Sequence, residues 1–140
     1  MLRTMFSLML FAAVGAPWIP LGVAGAQSEA PDSAAARPYV RQMQSDLRNL
    51  VVAQESYFAD HIAYAPSIPA MGGTYIPSRG ATVVILTLSK TGWNGIAVHE
   101  NAPGYVCGVF VGMEDAMDPL RDGAEEGEAT CRGPDGKPYR

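Results

Sequence analysis

The stretch from Pro38 to Tyr64 has the clearest hydrophobic period in this chain, and it limits the folds open to the rest. Its apolar residues recur at steps of three, four and seven, the spacing that lines one side of an α-helix. They are Val40, Met43, Leu47, Leu50, Val51, Phe58 and Ile62. Pro38 suits the first helical position, where its missing N–H has no helical partner, and it would break a turn begun at Ser33. We therefore predict an amphipathic helix from about Pro38 to Asp60.

The residues after this helix have the patterns of β-strands separated by turns. Runs of β-branched and apolar residues predict three strands, at Ala81–Ser89, Trp93–His99 and Tyr105–Val111. A short edge strand at Thr130–Arg132 would be the fourth. Short loops favour a sequential antiparallel sheet. Because both faces of the first run are mostly apolar, we expect that strand to lie at the centre of the sheet.

A sheet this small needs a second layer to bury one of its faces, and the amphipathic helix can supply it. The predicted fold class is therefore α+β, with one long amphipathic N-terminal helix packed on a small antiparallel sheet of three to four strands. The chain has 140 residues, 48% hydrophobic and 17% charged, which fits a single globular domain. Its net charge of −4, without a basic patch, argues against nucleic acid as a partner.

The N-terminal residues have the features of a secretory signal peptide. Arg3 precedes an apolar run at residues 5–16, and small side chains predict cleavage between Ala26 and Gln27. The alternative is an uncleaved membrane anchor, although the apolar run is shorter than a bilayer-spanning helix. We expect a periplasmic or extracellular protein that meets the membrane only if this segment is retained. The predicted organisation is a signal peptide at 1–26, a flexible tether at 27–37, a domain at 38–132 and a tail at 133–140.

Two segments resemble type IV pilins and pilin-like proteins. SDLRNLVVAQESYFADHIAYA, residues 45–65, is similar to the second half of that family's long helix, and GWNGIAVHENAPGYVCGVFVG, residues 92–112, is similar to its headgroup strands. The resemblance covers about Tyr39 to Cys131. It implies a pilin-like headgroup that works through protein contacts, with subunits of a pilus or a type II secretion system as partners. It also implies that the connection at 65–80 packs against the sheet edge, for which Tyr64, Ile68, Met71 and Tyr75 are available; the alternative is a mobile surface loop.

The N-terminus departs from the pilin pattern. A pilin leader ends in Gly or Ala followed by Phe, with a Glu five residues into a long apolar helix, and residues 1–28 show no such arrangement. We therefore expect a headgroup exported without the apolar half-helix that packs a pilus core. The alternative is a free-standing periplasmic or extracellular module that uses the same fold to bind a saccharide, a peptide or a cation.

The chain has two cysteines, Cys107 and Cys131. In an exported protein, two cysteines most simply form one disulfide bond. The alternative, a pair of reactive thiols, has little support because no C-x-x-C motif is present. In type IV pilins a C-terminal disulfide of this kind delimits an exposed region used in contacts. The resemblance therefore implies an interaction surface within Gly108 to Thr130.

Seven carboxylates are crowded into the loop between the two cysteines, and calcium is held by several oxygen ligands from such loops. They are Glu114, Asp115, Asp118, Asp122, Glu125, Glu126 and Glu128. Pseudopilins of type II secretion bind calcium in the corresponding region, so the resemblance implies a weak calcium site at Asp118, Asp122 and Glu125. The loop lacks the EF-hand pattern, and a solvated acidic loop is the competing interpretation.

The motifs of common enzyme sites are missing from the sequence. His99-Glu100 begins like H-E-x-x-H but lacks the second histidine, and no G-x-S-x-G motif occurs. His61 lies near the predicted helix end, where a cation favours the helix dipole. We therefore expect a protein that is not an enzyme and that needs no cofactor other than the calcium considered above.

Overall fold

A computed structural model describes residues 33–112, 118–121 and 123–139. The protein has an α+β fold, in which one long helix packs on a four-stranded antiparallel sheet. The predicted signal peptide and the first part of the predicted tether lie outside the described residues.

The helix α1 spans Ser33–His61, and the strands are β1 (Ala81–Leu88), β2 (Trp93–His99), β3 (Val106–Val111) and β4 (Thr130–Arg132). The strands follow one another across the sheet in the order β1-β2-β3-β4, all antiparallel. This arrangement confirms the predicted sequential sheet, including its short fourth strand. The connection at 65–80 contains a short 3₁₀ turn at Ile68–Met71.

The helix begins earlier than the sequence predicts. It starts at Ser33 and continues through Pro38, so residues 33–37 are helical and do not belong to a flexible tether. Pro38 removes one helical hydrogen bond without ending the helix, because the first turns are held by tertiary contacts. Ala36 is fully buried in the core, and the Tyr139 hydroxyl donates a hydrogen bond to the Ser33 carbonyl oxygen at 3.3 Å.

The core lies between the inner face of α1 and one face of the sheet. From α1, the side chains of Val40, Met43, Leu47 and Leu50 are almost completely buried. From the sheet they meet Trp93, Ala97, Cys107 and Val109, which are also buried. The helix comes close to β2 at Gly95, where an added Cβ would lie 3.6 Å from Leu50 Cδ2 and 2.9 Å from the Val84 carbonyl oxygen.

The first strand lies at the edge of the sheet, so the prediction that it would be central is wrong. The prediction relied on apolar residues along both faces, but helix α1 covers one face of the sheet, and Val84 remains 43% exposed. A bulge between Ile85 and Thr87 also interrupts the expected alternation. Asn94 stabilises this bulge, because its side-chain oxygen accepts a hydrogen bond from the Thr87 N–H at 2.9 Å.

The connection at 65–80 packs on the core, as the resemblance implies. Met71 and Tyr75 are buried, and Tyr64 and Ile68 are half-buried against the same cluster. Asp46 of α1 fixes the far end of this connection.

Both carboxylate oxygens of Asp46 accept hydrogen bonds from Ser78, one from its hydroxyl at 2.7 Å and one from its N–H at 3.2 Å. The Tyr75 hydroxyl donates to the Asp46 carbonyl oxygen at 3.1 Å. Burial and the nearby Asp46 carboxylate raise the pKa of Tyr75, which keeps the hydroxyl a donor. These contacts connect the middle of the helix to the start of the sheet.

Gln54 fixes the beginning of the same connection. Its side chain is fully buried. Its Nε2 donates to the Ala65 carbonyl oxygen at 3.0 Å, and its Oε1 accepts from the Ala65 N–H at 2.8 Å. One side chain therefore satisfies both backbone groups of a residue buried just beyond the helix.

We expect Leu47→Ala and Leu50→Ala each to lower the free energy of unfolding by about 2–5 kcal/mol, because each leaves a cavity between helix and sheet. Val52→Ala is the matched control, since Val52 is 66% exposed on the same helix, and its effect should stay below about 0.5 kcal/mol. Urea denaturation measures all three. Equal, small effects would show that the inner face of α1 does not form the core.

A second expectation concerns Gln54→Leu, which keeps the volume but leaves the N–H and C=O groups of Ala65 buried without partners. The loss of unfolding free energy should be about 2–4 kcal/mol. Gln42→Leu removes a comparable bond to the Arg79 carbonyl oxygen at an exposed position, and should cost less than about 1 kcal/mol. Similar losses for the two variants in guanidinium denaturation would contradict the role given to Gln54.

Candidate interaction surface

A disulfide bond joins Cys107 of β3 to Cys131 of β4, as predicted from the sequence. The two residues lie directly opposite each other in the strand register. Both are buried, and they belong to the core beneath α1. The bond closes the acidic loop between β3 and β4 at its base and holds the three-residue strand β4 on the sheet.

The described parts of this loop are attached to β3 by further contacts. The Glu126 carboxylate accepts a hydrogen bond from the Gly112 N–H at 2.8 Å, and the Gly127 N–H donates to the Phe110 carbonyl oxygen at 2.8 Å. Pro119 and Leu120 lie over Gly108, where an added Cβ would come within 2.7 Å of Pro119 Cγ. Pro119 and Leu120 therefore lie on the face of the sheet opposite the helix.

Asp118 organises the loop through four hydrogen bonds to its carboxylate. One oxygen accepts from the N–H groups of Leu120 and Arg121, both at 2.9 Å. The other accepts from those of Gly123 and Ala124, at 3.0 and 3.4 Å. Partial burial opposes ionisation of this carboxylate, but the four donors outweigh burial and lower the pKa of Asp118.

The predicted calcium site is not assembled by the part of the chain that the structure describes. Asp118 directs both oxygens to backbone N–H groups, and Glu125 is exposed. Asp122 lies outside the described residues, so the three-residue site stays a prediction. Across residues 33–112, 118–121 and 123–139, no three side chains of the metal-binding types come together.

The two histidines have separate surroundings. His61 lies in the last turn of α1, where its Nδ1 donates to the Tyr57 carbonyl oxygen at 2.9 Å and its ring stacks on Tyr57. His99 is buried against Tyr39, and its Nδ1 accepts from the Asn101 N–H at 3.0 Å. Its Nε2 has no hydrogen-bond partner among the described residues. These contacts give His61 a structural role at the end of the helix, as the sequence predicts.

Several large apolar side chains are exposed on β1 and β2. Val84, Leu86 and Leu88 of β1 are 42–53% exposed, and Val98 of β2 is 40% exposed. A cleft of about 310 Å³ lies elsewhere, between α1 and the end of the acidic loop, and Gln44 and Glu128 are among the residues that line it. No pattern in the sequence marks either feature as a site. Exposure of an apolar strand depends on its place in the sheet, and the cleft forms between segments that are far apart in the sequence.

Comparison with models of known protein families gives no match for this chain, and comparison with curated proteins gives none either. Within the described residues, no helix combines the length and the apolar character that crossing a membrane requires.

We expect Asp118→Asn to open the loop, because an amide in place of one carboxylate oxygen presents N–H groups to the backbone donors. Hydrogen exchange measured by NMR should show faster opening at Leu120, Arg121, Gly123 and Ala124. Glu125→Gln is the matched control, since that exposed side chain makes no described hydrogen bond, and it should leave these amides unchanged.

The same amides should respond to pH in the unmodified protein. The folded-state pKa of Asp118 is lowered, so the ionised carboxylate stabilises the loop fully above the unfolded-state pKa of about 4. This stabilisation is lost as the pH falls through the lower, folded-state pKa. Protection that is independent of pH, or equal in Asp118→Asn, would contradict the role of this carboxylate.

Proposed function

We propose that the protein is an exported, non-catalytic interaction protein with a pilin-like headgroup, an accessory to a type IV pilus or to a type II secretion-like system. The observation that carries the proposal is the combination of one long helix on a four-stranded antiparallel sheet with a disulfide at the base of the C-terminal loop. The same combination is implied by the resemblance of residues 45–65 and 92–112 to pilin sequences.

The disulfide supports export. Structural disulfides form and persist mainly in oxidising compartments such as the periplasm and the extracellular space. Cys107 and Cys131 are both buried, and together they hold β4 on the sheet. A bond in this position is part of the fold rather than an exposed, exchangeable link.

The buried polar side chains support a structural role. Asp46 and Gln54 direct their polar atoms to the connection that follows α1, and the half-buried Asp118 directs its carboxylate to the loop before β4. Each of these side chains fixes a surface segment on the helix–sheet core. A protein that acts by presenting loops to partners needs such attachments.

Location and intact mass of the native protein test this proposal. The full chain is expressed in its native host, soluble, membrane and sheared-filament fractions are separated, and each is analysed by mass spectrometry with and without reductant. We expect a species that begins at Gln27 and gains two mass units on reduction, either soluble or bound to the filament fraction.

Ala26→Leu should block removal of residues 1–26, because signal peptidase needs a small side chain before the cleaved bond. Gly25→Leu is the control, since the adjacent position carries no such requirement. A native species that keeps Met1 and remains reduced in the cytoplasm would overturn the proposal.

A further inference from the structure

The outward side of α1 carries one straight line of side chains, here called the outer stripe. Its members are spaced by three or four residues and so lie within one narrow sector of the helix, which borders the buried face at Gln44, where the Gln44 Nε2 donates to the Ala129 carbonyl oxygen at 3.4 Å. Seven of the eight are exposed and Gln44 is half-buried. The stripe is about 38 Å long at 1.5 Å per residue. It consists of Arg37, Arg41, Gln44, Arg48, Val52, Glu55, Ala59 and Ile62.

The first half of the stripe is positive in an otherwise acidic protein. Arg37 and Arg41 are four residues apart, so their like charges repel across one helical turn. Among the described residues, no carboxylate forms an ion pair with Arg37, Arg41 or Arg48. Negative charge on a partner would relieve the repulsion between Arg37 and Arg41 and pair with Arg48.

The second half of the stripe exposes apolar side chains. Val52 is 66% exposed and Ile62 is 84% exposed. Ile62 follows the last helical residue with a φ of 54°, in the left-handed region where glycine or asparagine is usual and a β-branched residue is rare. Glycine at this position would make the folded protein more stable, because glycine adopts a positive φ without steric cost. An isoleucine there places an apolar group at the end of the stripe.

We propose that the outer stripe binds an α-helix of a partner protein, one that carries carboxylates opposite Arg37, Arg41 and Arg48 and apolar side chains opposite Val52, Ala59 and Ile62. A helix fits because side chains repeating at steps of three and four are how one helix packs along another. Guanidinium groups pair with carboxylates through two parallel hydrogen bonds. The inference rests on the proposed interaction function and names the partner's chemistry.

A second copy of the same helix is a poorer partner. Each outer stripe contains three arginines and one glutamate, so two stripes brought together would both be positive. Like charges across an interface suppress association. The stripe therefore selects a different, acidic helix over itself.

Site-specific photocross-linking in the native host tests the proposal. A photoreactive benzoylphenylalanine replaces Gln44 or Ala59 in the full chain, and Lys90 or Asp135, which are exposed and off the stripe, in the controls. Cross-linked peptides are identified by mass spectrometry. We expect both stripe positions to cross-link to one acidic helical segment of another protein, and the control positions not to do so.

Charge reversal then tests the arginines. R37E/R41E/R48E should lower the yield of these cross-links by about tenfold, while R79E/K90E/K137E, with the same change in net charge, should leave it within about twofold. Equal losses in the two triple variants, no cross-links at Gln44 and Ala59, or cross-links to a basic segment or to a second copy would overturn the inference.

Ile62→Asn separates binding from folding. Asparagine adopts left-handed backbone more readily than isoleucine, so this variant should melt at the same temperature or higher. It should nevertheless lower the yield of the Ala59 cross-link by about fivefold, because the interface loses an apolar anchor side chain. An unchanged cross-link would overturn the role of the apolar half. If the protein is exported but binds its partners only through the acidic loop, the proposed function stands and the binding of a helix by the outer stripe is refuted.

Discussion

The burial of the inner face of α1 against β2 and β3 is the contact on which the other elements of this structure depend. Leu47 and Leu50 fill the space above the sheet, and Trp93 is completely buried beneath them. The sheet has four short strands, and the last has three residues. Sheets of this size are not stable without a covering layer, so the helix supplies half of the core. The disulfide lies in the same contact region, because Cys107 Sγ is 4.0 Å from the Val40 carbonyl oxygen.

The two sides of α1 serve different purposes. The inner side is determined by the core, and its buried polar residues Asp46 and Gln54 hold the connection that leads to β1. The outer side carries two arginines four residues apart, whose like charges repel, and just beyond the helix end an isoleucine in an unfavourable backbone conformation. The proposed partner helix would offset both costs.

Much of the fold could be predicted because it depends on local patterns. The helical period gives Val40, Met43, Leu47 and Leu50 on the inner face of α1, but it wrongly includes Ile62, which follows the helix end and is 84% exposed. β-Branched runs give β2 at its exact bounds, and short turns give the sequential sheet. The start of α1 at Ser33 differs from the predicted start at Pro38, because Ala36 is buried in the core and the helix continues through Pro38. The edge position of β1 was also missed, since apolar residues on both sides of a strand resemble those of a central strand.

Contacts between distant segments leave little local signal. Gln54 reaches Ala65, and Asp46 reaches Ser78. No period or motif marks either residue, because each bonds to backbone or hydroxyl groups outside its own element. Asp118 is different, since an aspartate followed by proline and glycine within a few residues is typical of turns. That pattern could have indicated a carboxylate that binds backbone N–H groups in place of a cation.

Native-state hydrogen exchange tests most directly whether helix and sheet form one cooperative core. If they do, the slowest amides of α1 around Leu50 and those of β2 around Ala97 will exchange with the same opening free energy, equal to that of global unfolding. If the α1 amides exchange through a smaller opening while β2 and β3 stay protected, the sheet is stable without the helix. That result would contradict the dependence of the sheet on the covering helix.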